Sequence, residues 1–238
     1  QEVDSALYEF DRAVKDKEVL LGVATTDFRP MVEQGKWSQR YFGDNMYDLL
    51  LRQSIFQLLW NGGGNKAVQL AVFDKYEKLI AQYEAVGNRD AELLTRLERL
   101  MYWQRNGWRY PQQLSDEQVL EQLQAWAKAY DGVDACAALY VSWADFYHQK
   151  QDFVSEMKVI EEGIKRFPSS EFTADLKDKQ RIVCMPSLSV QVTHPYPQAE
   201  AELRVTSKNL KGATLEWYRL NLKASSSVFA RNLEHADL

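Results

Sequence analysis

Cys184-Met185-Pro186-Ser187-Leu188-Ser189-Val190-Gln191-Val192 is where this chain changes its hydrophobic period. Upstream, apolar residues recur at the spacing of a helix face. Downstream of Pro186, Leu188, Val190 and Val192 alternate with Ser and Gln, the period of a strand. The switch predicts a helical domain over 1–184 and a β-domain opening at 185–238.

Immediately upstream, Leu139, Trp143 and Phe146 form one stripe, with Tyr140 and Tyr147 beside it. A turn at Gln149 to Asp152 follows. Phe153, Met157, Ile160, Ile164 and Phe167 then fall at i, i+4, i+7, i+11 and i+14. Lys165 and Arg166 suit the negative end of that helix, and Pro168 stops it. Helix, turn, helix and terminal proline resemble a tetratricopeptide repeat of ~34 residues. Ala144 and Gly163 are the small residues that close helix packing wants. Ser169 or Ser170 is expected to cap one more helix, running to about Val183 through Phe172 and Leu176.

Further upstream the helical pattern repeats. Val3, Leu7, Phe10 and Val14 line one face. Pro30 and Gly35 break the stretch from Thr25 to Gly43, where Trp37, Tyr41 and Phe42 are expected to dock on neighbouring helices. Asp44 is the expected N-cap of a helix from Asn45 to Trp60, with Met46, Leu49, Leu50, Ile55, Phe56 and Leu59 as its apolar face. Asn61-Gly62-Gly63-Gly64-Asn65 reads as a turn, because a phosphate-binding loop needs a strand before it and Gly-Lys-Ser/Thr after it. Val68, Val72, Tyr76, Leu79 and Tyr83 predict the next helix. Gly87-Asn88 ends it and opens another, with Leu93, Leu97, Leu100 and Met101 inside and Glu92 and Arg96 outside. Ser115-Asp116-Glu117-Gln118 is a capping-box pattern. The helix it opens carries Val119, Leu123, Trp126 and Tyr130, and Asp131-Gly132 closes it.

Downstream, His194-Pro195-Tyr196-Pro197 interrupts the first strand. Ala201, Leu203 and Val205 alternate with Glu202, Arg204 and Thr206 in a second. Lys208 to Gly212 reads as a hairpin loop, and Leu215 and Trp217 open a third strand with Tyr218, Leu220 and Leu222 on its other face. Three strands fall short of a sandwich. The expected fold is therefore mainly α: a TPR-like array of α–α hairpins followed by a partial antiparallel β-sandwich segment. The chain reads as a piece of a longer polypeptide. It begins at Gln1 rather than Met, so the lack of a targeting segment is uninformative.

Composition narrows the function. The 238 residues are 45% hydrophobic and 12% aromatic, enough for a packed core. Net charge is -5 with no Lys/Arg run, which argues against binding nucleic acid. No apolar run of about 18 residues exists to span a membrane. The two cysteines, Cys136 and Cys184, lack CxxC spacing and read as small buried hydrophobes; whether they pair depends on the fold.

Catalytic chemistry finds no constellation. His148, His194 and His235 are far apart, none within HExxH, so each reads as a surface or hydrogen-bonding residue. Glu161 and Glu162 are adjacent on a helix and diverge. There is no GxSxG, no P-loop and no Cys–His arrangement. The expectation is a non-enzyme with no catalytic residue, metal or cofactor. The one candidate partner-binding platform is aromatic: Trp103 with Trp108, Arg109 and Tyr110. Filling gaps between hairpins is the plainer role for those rings.

The order of these features resembles a known family. Helical hairpins lead to Gly163-Ile164-Lys165-Arg166-Phe167-Pro168-Ser169-Ser170. A linking helix follows, then Pro186-Ser187-Leu188-Ser189-Val190-Gln191-Val192, Ala201-Glu202-Leu203-Arg204-Val205-Thr206-Ser207-Lys208-Asn209-Leu210 and Leu215-Glu216-Trp217-Tyr218-Arg219-Leu220. Asp44-Asn45-Met46-Tyr47-Asp48-Leu49-Leu50 and Gly87-Asn88-Arg89-Asp90-Ala91 share the likeness. Together they resemble the N-terminal part of large bacterial alpha-2-macroglobulin-like proteins. The resemblance is one of order and texture along most of the chain, without a diagnostic motif. It implies a protease (endopeptidase) inhibitor, secreted, periplasmic or anchored in the cell envelope, that traps its target after bait cleavage. The partners it implies are downstream macroglobulin domains of the same chain, a protease or an envelope protein. Many members carry a Cys-x-Glu-Gln thioester; here Cys136 precedes Ala137-Ala138-Leu139 and Cys184 precedes Met185-Pro186-Ser187, so no thioester residue carries over. The alternatives from the residues themselves are a stand-alone TPR-like adaptor and a helical glycan-binding envelope protein.

Overall fold

The computed structural model describes residues 2–29, 40–61, 65–106, 114–192 and 203–216. Nine α-helices and one two-stranded antiparallel sheet are found among them, so the protein is mainly α. The chain divides into two compact units, 1–183 and 184–238.

The first unit holds α1 (Glu2–Ala13), α2 (Lys17–Leu21), a short 3-10 turn (Thr25–Phe28), α3 (Met46–Asn61), α4 (Lys66–Val86) and α5 (Arg89–Asn106). It continues with α6 (Asp116–Ala129), α7 (Cys136–Gln149), α8 (Phe153–Arg166) and most of α9 (Thr173–Cys184). Helices α3, α4 and α5 pack in sequence, α5 then packs on α7, and α7 packs on both α6 and α8. Helices α1 and α2 lie against α3, with α1 also touching α4.

Local chemistry sets the helix ends. Ser115 and Gln118 form the expected capping box, each side chain accepting the other's backbone N–H at 3.3 and 2.8 Å. Asn65 caps α4 by accepting from the N–H of Ala67 at 2.8 Å. Gly87 ends α4 at φ +69°, which only glycine adopts without strain. The N–H groups of Gly87 and Asn88 close the turn on the carbonyls of Glu84 and Tyr83. The Asn88 side chain then accepts from the N–H of Ala91 and starts α5 at once. With only Gly87 and Asn88 between the helices, α4 and α5 form an antiparallel hairpin.

The stripes read from α4 and α6 are in the core: Val68, Val72, Tyr76, Leu79 and Tyr83 on one, Val119, Leu123 and Trp126 on the other, with Tyr130 following it. Tyr41 and Phe42 are buried as expected; Trp37 lies outside the described residues. Other expectations need correction. Helix α3 buries Tyr47, Leu51, Ile55 and Leu58, while Phe56, Leu59 and Trp60 are exposed. Its cap is Asn45, whose side chain accepts from the Asp48 N–H at 2.9 Å; Asp44 instead takes the Thr25 and Thr26 hydroxyls. Glu92 is buried, receiving the Tyr130 hydroxyl and Arg96, rather than facing water. The inner face of α8 is Glu156, Val159, Ile160 and Gly163, leaving Phe153, Met157, Ile164 and Phe167 half-buried along its flank. Trp143 is half-buried too. The Ser170 hydroxyl donates to the Asp134 carbonyl and does not cap α9. Cys136 is buried, Cys184 is exposed, and both are free thiols.

The second unit contains β1 (Ser187–Val192) and β2 (Leu203–Lys208), with Val190 opposite Val205 and Leu188 opposite Ser207. The pleat puts Leu188, Val190, Leu203 and Val205 on one face. Leu188, Val190 and Val205 are exposed there. Asn209, at φ +57°, turns the chain out of β2. Residues 212–216 are not a strand, so Leu215 does not pair; Trp217 and the rest of the expected third strand lie outside the described residues.

Candidate functional site

Helix α3 supplies an unusual inner face, with a carboxylate and a guanidinium beside its leucines. Asp48 is 1% exposed. It accepts Arg52 Nε at 2.9 Å, the Tyr83 hydroxyl at 2.5 Å and the Gly43 N–H at 3.0 Å. Arg52 also donates to Thr95 at 2.8 Å and reaches Glu98 at 3.4 Å, while its guanidinium lies over the Phe42 ring. A buried charge with this many partners is held rather than wasted. The cluster ties α3, α4 and α5 together, and burial pushes the Tyr83 hydroxyl well above its ordinary pKa.

One end of that cluster opens into a groove. Glu98 lines a cavity of about 590 Å³ with walls from α3, α4, α5, α7 and the start of α9. The walls are apolar: Leu59, Tyr76, Leu97, Met101, Val141 and Phe172 are among them. Asp175 lines it as well and is exposed, without an ion-pair partner among the described residues. Glu98 keeps 38% of its side-chain exposure although protein surrounds it, and burial raises its carboxyl pKa above the ordinary value. Exposed Phe56 and Trp60 stack on each other with ring centres 6.3 Å apart, on the same helix as Leu59. Concave apolar surfaces with a few fixed polar groups are where proteins bind ligands.

The aromatic platform expected from sequence is only partly described. Trp103 meets Phe73 edge-on at 4.6 Å and is half-buried, so it fills the α4–α5 seam. Trp108, Arg109 and Tyr110 lie outside the described residues. His148 bonds the buried Glu156 carboxylate through Nδ1 at 3.0 Å, while His194 and His235 are outside the described residues. Among the described residues no cluster of His, Cys, Asp and Glu could hold a metal ion. None of their helices is long and apolar enough to cross a membrane.

No family model, curated protein or solved structure matches the chain.

Sequence patterns had not singled out Glu98, Met101, Val141 or Asp175 as site residues. Each sits at the margin of its own helical stripe. Five separate segments make the groove, and no spacing along the chain reports their meeting.

Proposed function

We propose that this chain is a non-catalytic scaffold whose helical unit grips a segment of another protein or protein domain. The observation that carries this is the apolar groove across α3, α4, α5, α7 and α9, with Glu98 and Asp175 set into it. Its shape and lining suit an amphipathic segment that buries leucine-like side chains and offers a cationic one to the two carboxylates. A glycan-binding site would want many polar partners, and the groove's lining is mostly apolar.

Within this reading the chain is the N-terminal region of a bacterial alpha-2-macroglobulin-like protease inhibitor of the cell envelope. Two features support it. Helices α7 and α8 pair as an α-hairpin, with close packing at Gly163 of the kind TPR-like units use. The ribbon that follows leaves one apolar face exposed, and sandwiches cover such a face with a second sheet. The ribbon is then the opening of the first macroglobulin-type sandwich. The second reading is a stand-alone TPR-like adaptor, favoured by the groove alone. The native open reading frame separates them. Repeated sandwich domains after Leu238, in a product that inhibits proteases, support the inhibitor; a frame ending there supports the adaptor.

A further inference from the structure

A second concavity lies elsewhere in the helical unit, with the opposite chemistry. Helices α6, α7 and α8 enclose a cleft of about 520 Å³. Its floor is aromatic and aliphatic: Tyr140 and Trp143 from α7, Val159 from α8, Ala127 from α6. Three cations line it, Lys128, Lys158 and Arg166, against the carboxylates of Asp131 and Glu162.

Those charges are not equally available. Arg166 donates to the Tyr140 hydroxyl at 2.8 Å and to Asp131, and lies 3.9 Å from Glu162, so both carboxylates are already directed at it. Lys128 and Lys158 are exposed and make no salt bridge among the described residues. Lys158 feels the Asp152 carboxylate only through space. The indole N–H of Trp143 is shut off from water and finds no acceptor. The cleft thus offers two lysines that make no salt bridge among the described residues, in a chain whose net charge is -5.

We propose that the cleft between α6, α7 and α8 binds an acidic peptide segment of a partner protein. Lys128 on one wall and Lys158 on the other take its carboxylates, and an apolar side chain of the segment packs on Trp143 and Tyr140. Aromatic floors with cationic rims bind by burying the anchor and steering with the charge. A nucleic acid fits less well, since its charge density meets a net-acidic protein and only two available lysines.

The test is fluorescence anisotropy with a labelled decapeptide of glutamate and leucine. The controls are its uncharged glutamine–leucine counterpart and oligothymidine. The acidic peptide should bind, and more tightly at low salt. Lys128→Glu with Lys158→Glu should weaken it by about tenfold or more, while the protein stays folded with only a small fall in melting temperature, because both residues are exposed. Lys128→Arg with Lys158→Arg should keep binding, and so should Leu59→Arg in the other groove, which separates the two sites. Equal binding of the acidic and the uncharged peptide, no loss on charge reversal, or preference for oligothymidine would each overturn the assignment.

Discussion

Gly163 of α8 stands so close to Tyr140 of α7 that a side-chain carbon on it would lie 2.8 Å from the Tyr140 Cβ. The same carbon would lie 2.8 Å from Leu176 Cδ1 on α9. Neither neighbour can move easily: Leu176 is fully buried and Tyr140 is 3% exposed. The lack of a side chain is what lets three helices meet.

Gly163→Ala tests that packing. In an open helix the change would stabilise by about 1 kcal/mol, from propensity alone. Here overpacking costs about 1–3 kcal/mol and outweighs it. A lower urea midpoint is expected. A higher one would mean that α7 and α9 are not held against this position.

Gln69 on α4 is 1% exposed, and neither its amide oxygen nor its nitrogen finds a partner. An unsatisfied buried amide costs about 1–3 kcal/mol. Gln69→Leu keeps the volume and removes the cost, so the melting temperature should rise. A fall would reveal a hydrogen bond that α4 depends on.

The two thiols should differ sharply in reactivity. Burial pushes the Cys136 thiol up to about 11, so it holds almost no thiolate at pH 8. Cys184 is exposed. Ellman's reagent should count one fast thiol in the native protein and two in urea. Two fast thiols in the native state would contradict the burial of α7.

Glu98 should make stability depend on pH. Its folded-state pKa is raised above the ordinary 4.5, first of all by burial. The folded chain therefore keeps that proton to higher pH than the unfolded chain does. The stabilisation is full below about 4.5 and is lost as pH climbs through the raised value. Wild type should lose stability relative to Glu98→Gln over that window. Parallel pH profiles would show that Glu98 is not set among the helices as described.

Legibility in the sequence followed the range of the forces involved. The Ser115–Gln118 box and the Gly87–Asn88 junction are set by residues within a few positions of each other, and their patterns are plain. The α4 stripe is equally plain because one side of that helix is uniformly apolar. Helix α3 defeats the same logic. Its inner face is chosen by the Asp48–Arg52 pair, whose partners Tyr83 and Thr95 are over 30 residues away, and this turns Phe56 and Leu59 outward. The alternation of β1 and β2 is local and readable, whereas Leu215 continues the pattern without pairing. The groove was the least legible feature, since Leu59, Glu98, Val141 and Asp175 meet only through packing.

The most direct measurement is a titration of the native protein with a labelled amphipathic peptide of leucine and lysine, beside a scrambled peptide of the same composition. Leu59 is 42% exposed on the groove wall, so Leu59→Arg can block the groove without emptying the core. If the groove grips partner segments, the amphipathic order binds, the scrambled one does not, and Leu59→Arg weakens binding by about tenfold. Equal binding of both peptides, or no effect of Leu59→Arg, would contradict the scaffold function.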